Sequence, residues 1–212
     1  GGGRVSGYFT GATGTMVYRG DAYGPDFEGN TFSGDAGGQL VHRKKIYEDG
    51  VSLIGRRPED EQTMEFAAST DTWVRVVNFA DAPDGCLHVI DMYREVIEHP
   101  WSIPDEIKKH IDLNSGNDRG RIWRIAPDNA NWKRRPGSAA ILGGKSPADM
   151  TTAELVHTLE HPNGWHRDTA ARLLYERQDM AAAPLLERLV RDGELPEGRM
   201  HALYALESLG RL

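Results

Sequence analysis

The feature that most constrains this chain is how its glycines and leucines are partitioned. Twenty of its 24 glycines lie in residues 1–144, whereas residues 148–212 carry nine Ala and twelve Leu but only four Gly. Glycine is costly inside a helix and useful in turns, while Ala and Leu are the strongest helix formers. The first part therefore reads as short strands and turns, and the second as packed helices. The fold class expected is mixed α+β, with the change of character near residue 145.

In the first part, runs rich in β-branched and aromatic residues alternate with Gly, Asp and Pro. The expected strands are Gly14–Arg19, Thr31–Asp35, Gln39–Tyr47, Met64–Ala68, Val74–Phe79, Leu87–Asp91 and Arg121–Ile125. Pro83-Asp84-Gly85 is a turn signal, with Pro fixing φ and Gly supplying positive φ. Short strands at this spacing suggest a sandwich, a barrel or a propeller. Residues 92–119 are too long for a simple turn. Within them, Pro104-Asp105-Glu106-Ile107 predicts a short helix with Pro at its first position.

Residues 127–147 read as a linker, with Arg134-Arg135-Pro136-Gly137 and Gly143-Gly144 as its markers. Four helical patterns follow at 151–161, 165–177, 181–191 and 197–209. Thr151-Thr152-Ala153-Glu154 fits a capping box and Asn163 fits an N-cap. Arg167, Ala170 and Leu174 return as Arg199, Ala202 and Leu206 at an offset of 32 residues. A repeat of that length built from helix pairs indicates an α-solenoid, whose units need neighbours to bury their apolar faces.

Composition excludes several function classes. Thirty-two acidic against 25 basic residues give a net charge of −7, the wrong sign for a nucleic-acid surface. No apolar run approaches the ~18 residues of a membrane span. One cysteine, Cys86, excludes an internal disulfide and a cysteine-based zinc site, and is expected to be a buried, inert small hydrophobe. The chain opens Gly1-Gly2-Gly3, without Met or a signal segment, and reads as a piece of a longer protein.

Several charged constellations stand out. Arg19 and Arg75 each follow closely on an aromatic residue, Tyr18 and Trp73, near an expected strand. Two guanidinium groups suit a polycarboxylate ligand because each can form bidentate, charge-assisted hydrogen bonds. The plainer alternative is that they pair with Asp21 and Asp71. By two-residue alternation, Trp73 and Arg75 would point to the same side of a strand. Glu95 and His99 would share a helix face and could hold a divalent ion. The plainer alternative is a network of Arg94 with the neighbouring acids. His157, His161 and His166 invite a histidine cluster, against which stands His161 as a C-terminal helix cap beside Pro162. No metal site and no catalytic residue is assigned. No GxGxxG, P-loop, CxxC or HExxH pattern occurs, and Gly11-Ala12-Thr13-Gly14 opens no helix that could bind phosphate.

Several stretches together carry a family resemblance. They are Val17-Tyr18-Arg19-Gly20-Asp21, Phe27-Glu28-Gly29-Asn30, Leu40-Val41-His42-Arg43, Asp71-Thr72-Trp73-Val74-Arg75-Val76, Asp91 through Pro100, and Asp118 through Ile125. Over about residues 8–210 the chain resembles the planctomycete-type membrane-bound dehydrogenases, which join a β-propeller to HEAT repeats and a C-terminal haem-binding CxxCH domain. The resemblance implies that residues 1–126 are the last blades of a propeller, 127–147 a linker and 148–212 HEAT-like repeats. It also implies a periplasmic or extracellular location, and haem c in a domain that this chain lacks.

More distantly the chain is similar to soluble sugar dehydrogenases that use pyrroloquinoline quinone (PQQ) with calcium. That similarity places Arg19, with Arg where those enzymes have Lys, and Arg75 as cofactor-binding residues. Their proton-abstracting His lies on a blade that this chain does not contain. The function implied is a part of a quinoprotein-type dehydrogenase for sugar-like or alcohol substrates, with no cofactor bound by this chain alone. The alternative is a non-catalytic propeller and HEAT-repeat scaffold for protein or polysaccharide partners.

Overall fold

The computed structural model describes residues 8–128 and 144–212. Its contacts group the chain into two compact units. Among the described residues, one comprises 8–18, 27–80 and 87–125; the other comprises 19–26, 81–86, 126–128 and 144–212. Most of the expected linker, including Arg134-Arg135 and Gly143, lies outside the described residues, as does the Gly1-Gly2-Gly3 start.

The first unit is built of antiparallel strands. β1 (Ala12–Val17), β2 (Thr31–Asp35), β3 (Leu40–Asp49) and β4 (Ser52–Arg56) form a meander. β3 is long enough to serve two partners along one edge. Its second half pairs with β4, while Leu40 and Val41 pair with β5 (Ala67–Ala68). A second sheet follows the order β6 (Val76–Asp81), β7 (Leu87–Asp91), β8 (Arg121–Ile125). Phe32, Val41, Val76, Phe79, Leu87 and Val89 are buried and form this unit's apolar core. β1 carries an irregularity at Gly14, where φ is +39°. A Cβ there would stand 2.6 Å from the Asn78 Cα. Only glycine lets β1 approach β6 so closely.

Three expected strands appear with the bounds read from sequence: Thr31–Asp35, Leu87–Asp91 and Arg121–Ile125. Others shift. β6 begins at Val76 rather than Val74, because Asp71 closes a turn by accepting the Trp73 N–H on its side chain and the Val74 N–H on its carbonyl. Met64–Ala68 shrinks to Ala67–Ala68, since residues 59–61 form a 3-10 turn and the segment joins β3 only at its end. β4 was not expected. It rests on the two-residue hairpin turn Gly50-Val51, with Gly50 at φ +64°, rather than on a buried apolar stripe. In the 92–119 excursion a helix does form, α1 (Asp105–Lys108), but Pro104 precedes it as the cap residue instead of occupying its first position.

The helical unit contains α2 (Thr152–Thr158), α3 (Gly164–Arg177), α4 (Ala183–Asp192) and α5 (Pro196–Ser208). The capping box is present: Thr151 Oγ1 accepts the Glu154 N–H, and Glu154 accepts the Thr151 N–H at 2.7 Å. α3 starts at Asn163, whose side chain accepts the Trp165 N–H. The apolar core comprises Leu155, Leu159, Ala170, Leu174, Leu186, Ala202 and Leu206. The 32-residue repeat is thus visible in packing, since Ala170 and Leu174 match Ala202 and Leu206 as buried positions. Its polar member diverges. Arg167 is buried and donates to the carbonyls of His161 and Pro162, while the exposed Arg199 donates to the Val190 carbonyl. The class is mixed α+β, as the composition implied.

Leu159 has no exposed surface. Leu159→Ala removes a fully packed side chain and should destabilise the chain by about 2–5 kcal/mol. Chemical denaturation followed by far-UV circular dichroism checks this, with Leu203→Ala, on the exposed side of α5, as the near-neutral control.

Candidate functional site

Arg75 lies just before β6 and is only 8% exposed. Its guanidinium is held by three backbone carbonyls: Nε donates to Arg94 O at 2.8 Å, Nη1 to Ala36 O at 2.9 Å and Nη2 to Glu95 O at 2.7 Å. Burial pulls its pKa below the usual arginine value, and Asp71 and Asp91 partly offset this. The alternative ion pair with Asp71 is not what forms; Asp71 faces Arg121 at 3.6 Å. Because residues 71–74 turn, the expected strand alternation of Trp73 with Arg75 does not apply. The Trp73 ring instead stacks, tilted, on Tyr93 at 5.7 Å.

Beside Arg75 sits Asp91, a fully buried carboxylate at the end of β7. Oδ1 accepts the N–H groups of Arg75 and Tyr93 at 2.8 and 2.9 Å. Oδ2 accepts Arg121 Nε and Trp123 Nε1, each at 3.0 Å. Burial alone would push its pKa up. The hydrogen bonds from Arg75, Trp123, Arg121 and Tyr93 outweigh it and hold the carboxyl below the ordinary range.

Arg19 belongs to the helical unit. Its guanidinium grips Asp168 of α3 in a two-pronged pair, Nη1 to Oδ2 at 2.8 Å and Nη2 to Oδ1 at 2.9 Å. The partner is therefore Asp168 rather than Asp21. Both groups are well exposed, so the pair contributes at most about 1 kcal/mol. The Arg19 backbone is the firmer tie, its carbonyl accepting the Gly164 N–H at 2.8 Å. A second loop of this unit, residues 81–86, meets the same helix start. Asn163 Nδ2 donates to Ala82 O at 2.9 Å, and His166 Nε2 bonds Pro83 O at 2.9 Å. Gly85, at φ +78°, lies where a Cβ would stand 2.1 Å from Asp21 Oδ1 and 3.1 Å from Ala22 N, so a side chain there would push the Asp21 carboxylate aside and crowd the loop backbone.

The other charged candidates resolve differently from expectation. Glu95 and His99 are not on a helix; His99 caps the turn at 100–102 by accepting the Trp101 N–H. Arg94 donates to the Asn114 carbonyl rather than to neighbouring acids. His161 is not a cationic cap: its Nδ1 accepts the Asn163 N–H, and its ring stacks on His166 at 4.4 Å. Cys86 is fully buried. Among the described residues, no group of three or more His, Cys, Asp or Glu is placed to hold a metal ion. None of their helices is long and apolar enough to cross a membrane.

Sequence reasoning missed a buried polar cluster on β3. His42 Nδ1 contacts Glu65 Oε2 at 2.7 Å, and Glu65 Oε1 accepts Arg57 Nη2 at 2.7 Å. On the opposite face Arg43 lies over the Phe27 ring at 4.2 Å and pairs with Glu61 at 2.7 Å. The signal was a His-Arg pair that follows directly on the apolar Leu40-Val41 at the start of the strand.

A quinone polycarboxylate needs free guanidinium edges. On Arg75 the edge formed by Nε and Nη2 is taken by two carbonyls, and on Arg19 the fork is closed on Asp168. As they stand, these two residues do not fit such a cofactor.

Fold and site define a mixed α+β protein in which the buried Arg75, Asp91 and Arg167 are hydrogen-bonded inside their own units. By sequence, residues 2–129 match the family described as a domain of unknown function, DUF7133, and the chain belongs to that family. No curated protein and no solved structure matches it.

Asp91→Asn replaces two acceptor lone pairs by a donor facing two fixed donors. It should cost about 2–4 kcal/mol, the range for breaking a buried charged network. Urea denaturation of the two proteins side by side checks it. Trp123→Phe, which removes one donor, should cost less.

Proposed function

We propose that this chain is a scaffold module: the last blades of a β-propeller followed by HEAT-like repeats, within a longer protein located in the periplasm or outside the cell. Its role is to present surfaces to protein or polysaccharide partners. One observation carries this reading. Both arginines that would have bound a cofactor have their guanidinium edges engaged internally, Arg75 on the carbonyls of Ala36, Arg94 and Glu95, and Arg19 on Asp168. A buried cation held by carbonyls of three different residues pins chain segments together, which is a framework task.

A second reading is supported by the resemblance to quinoprotein-type dehydrogenases acting on sugar-like or alcohol substrates. One feature of the site favours it: the side chain of Arg75 is hydrogen-bonded only by neutral carbonyls, so its positive charge is not quenched by direct pairing. In that case PQQ, calcium and haem c would be held chiefly by parts of the protein outside this chain.

Calorimetric titration of PQQ, with calcium, into the parent protein separates the two. The scaffold reading expects no binding. A charge-assisted contact to the quinone is worth about 1.5–3 kcal/mol. PQQ binding would therefore overturn the scaffold reading in favour of the enzyme, and weakening of that binding by roughly 10- to 150-fold in Arg75→Ala would make Arg75 one of its contacts.

A further inference from the structure

The start of α3 gathers an unusual set of neutral groups. His161 and His166 stack at 4.4 Å with their rings inclined by 55°. One nitrogen of each ring is committed to the unprotonated form. His161 Nδ1 accepts the Asn163 N–H at 3.0 Å, which requires a lone pair there. His166 Nε2 faces the Pro83 carbonyl at 2.9 Å and must be the N–H donor, because a carbonyl only accepts. That leaves His166 Nδ1 as a lone pair, and it is fully buried with no hydrogen-bond partner. A lone pair in that position costs little, whereas an N–H⁺ there would need an acceptor that is not in reach.

The same residues join the unit's loops to its helices. Asn163 caps α3 through Oδ1 and reaches Ala82 O through Nδ2; Gly164 N–H donates to Arg19 O. We propose that the His161–His166 pair is an acid-sensitive latch, in which proton uptake by the imidazoles releases the turn 81–86 and the loop 19–26 from the start of α3. Protonating His161 turns its Nδ1 from acceptor to donor against the Asn163 N–H, which pulls on the cap residue. Protonating His166 buries an unpaired N–H⁺ beside the neighbouring ring.

Charged groups around the pair set its direction. Asp21, from loop 19–26, favours the protonated form of both rings, and Arg167, from α3 itself, opposes it at His161. Burial is the largest influence on both and works against the charge. It brings His161 down to about 4, and it lowers His166 as well. A histidine with a lowered folded pKa leaves the closed state unaffected above its ordinary value near 6.5. Closure weakens as pH falls from there toward the lowered value, because the open state takes up the proton first. Between pH 7 and pH 5, His161 alone should raise the open population roughly 20-fold, and His166 adds to this in the same sense.

Hydrogen exchange read by mass spectrometry on the whole chain tests the latch, with rates corrected for the intrinsic pH dependence of exchange. Peptides covering residues 19–26, 81–86 and 161–166 should open at least 20-fold more at pH 5 than at pH 7, while peptides from β3 and α4 stay unchanged. The double variant His161→Asn, His166→Gln keeps an acceptor and a donor near the two bonded positions but cannot take up a proton. It should open equally at both pH values. Equal opening of the unmodified chain at pH 5 and 7, or the same rise in the double variant, would overturn the proposal. Should circular dichroism show the double variant unfolded at pH 7, imidazole titration of the unmodified chain by NMR decides. Both rings titrating well below 6.5 supports the latch, and either ring titrating at or above it refutes it.

Discussion

The strand unit depends on how one buried carboxylate is satisfied. Asp91 has no exposed surface, and an unpaired charge there would cost several kcal/mol. The fold surrounds it with four donors drawn from both sides of the chain. Backbone N–H groups come from Arg75 and Tyr93, and side-chain donors come from Arg121 and Trp123 on β8. That requirement has local consequences. It fixes the chain entering β6 and the chain leaving β7, and it ties both to β8. Arg75, with its backbone anchored on Asp91, then directs its guanidinium onto Ala36, Arg94 and Glu95, holding the 92–119 excursion at its first residues. Arg121 is further braced between the Tyr93 and Trp123 rings, at 4.0 and 4.6 Å.

The helical unit solves the same problem with neutral groups. Asn163 and His166 are almost completely buried, and they tie backbone to backbone by side chains that carry no charge at neutral pH. Buried neutral amides and imidazoles avoid the desolvation cost of an ion but tolerate no change of protonation. Arg167, the buried cation of this unit, is placed on the carbonyls of His161 and Pro162, where a helix has ended and its acceptors are free.

What was legible in the sequence follows from how local each cause is. Thr31–Asp35, Leu87–Asp91, Arg121–Ile125 and the four long helices rest on alternation, apolar spacing and caps within a few residues, so they could be read directly. The Thr151–Glu154 box and the Asn163 cap are of this kind. The partners of Arg19 and Arg75 were not legible, because they lie far along the chain: Asp168 is 149 positions from Arg19, and Ala36 is 39 from Arg75. Sequence proximity suggested Asp21 and Asp71 instead. The expected strand Val74–Phe79 starts two residues later for a related reason: an Asp71 turn overrides the β propensity of Val74, since a side-chain acceptor two residues before Trp73 competes with the sheet for its N–H. His42–Glu65 was hidden because the two residues meet only after β5 folds back beside β3.

The two ways of burying polarity give the units opposite responses to acid. In the strand unit, Asp35 and Asp91 are both held below the ordinary carboxylate range, where hydrogen bonds from backbone N–H groups and donor side chains outweigh burial. Their contribution is complete above that range and is lost only as pH falls through the lowered values. In the helical unit, His161, His166 and His201 are all lowered by burial, and stability there begins to decline as soon as pH drops below the ordinary imidazole range. Asp81, in the turn that Asn163 and His166 hold, is shifted the other way: burial raises it, with Arg19 only partly opposing, so it too takes up its proton early. A raised carboxylate is stabilising in its protonated form. Protonation of Asp81 thus acts on the closed turn in the opposite sense to protonation of the imidazoles, which also breaks bonds. The interval between the histidine and carboxylate ranges is where loops 19–26 and 81–86 loosen from the start of α3 while the Asp91 hub stays intact.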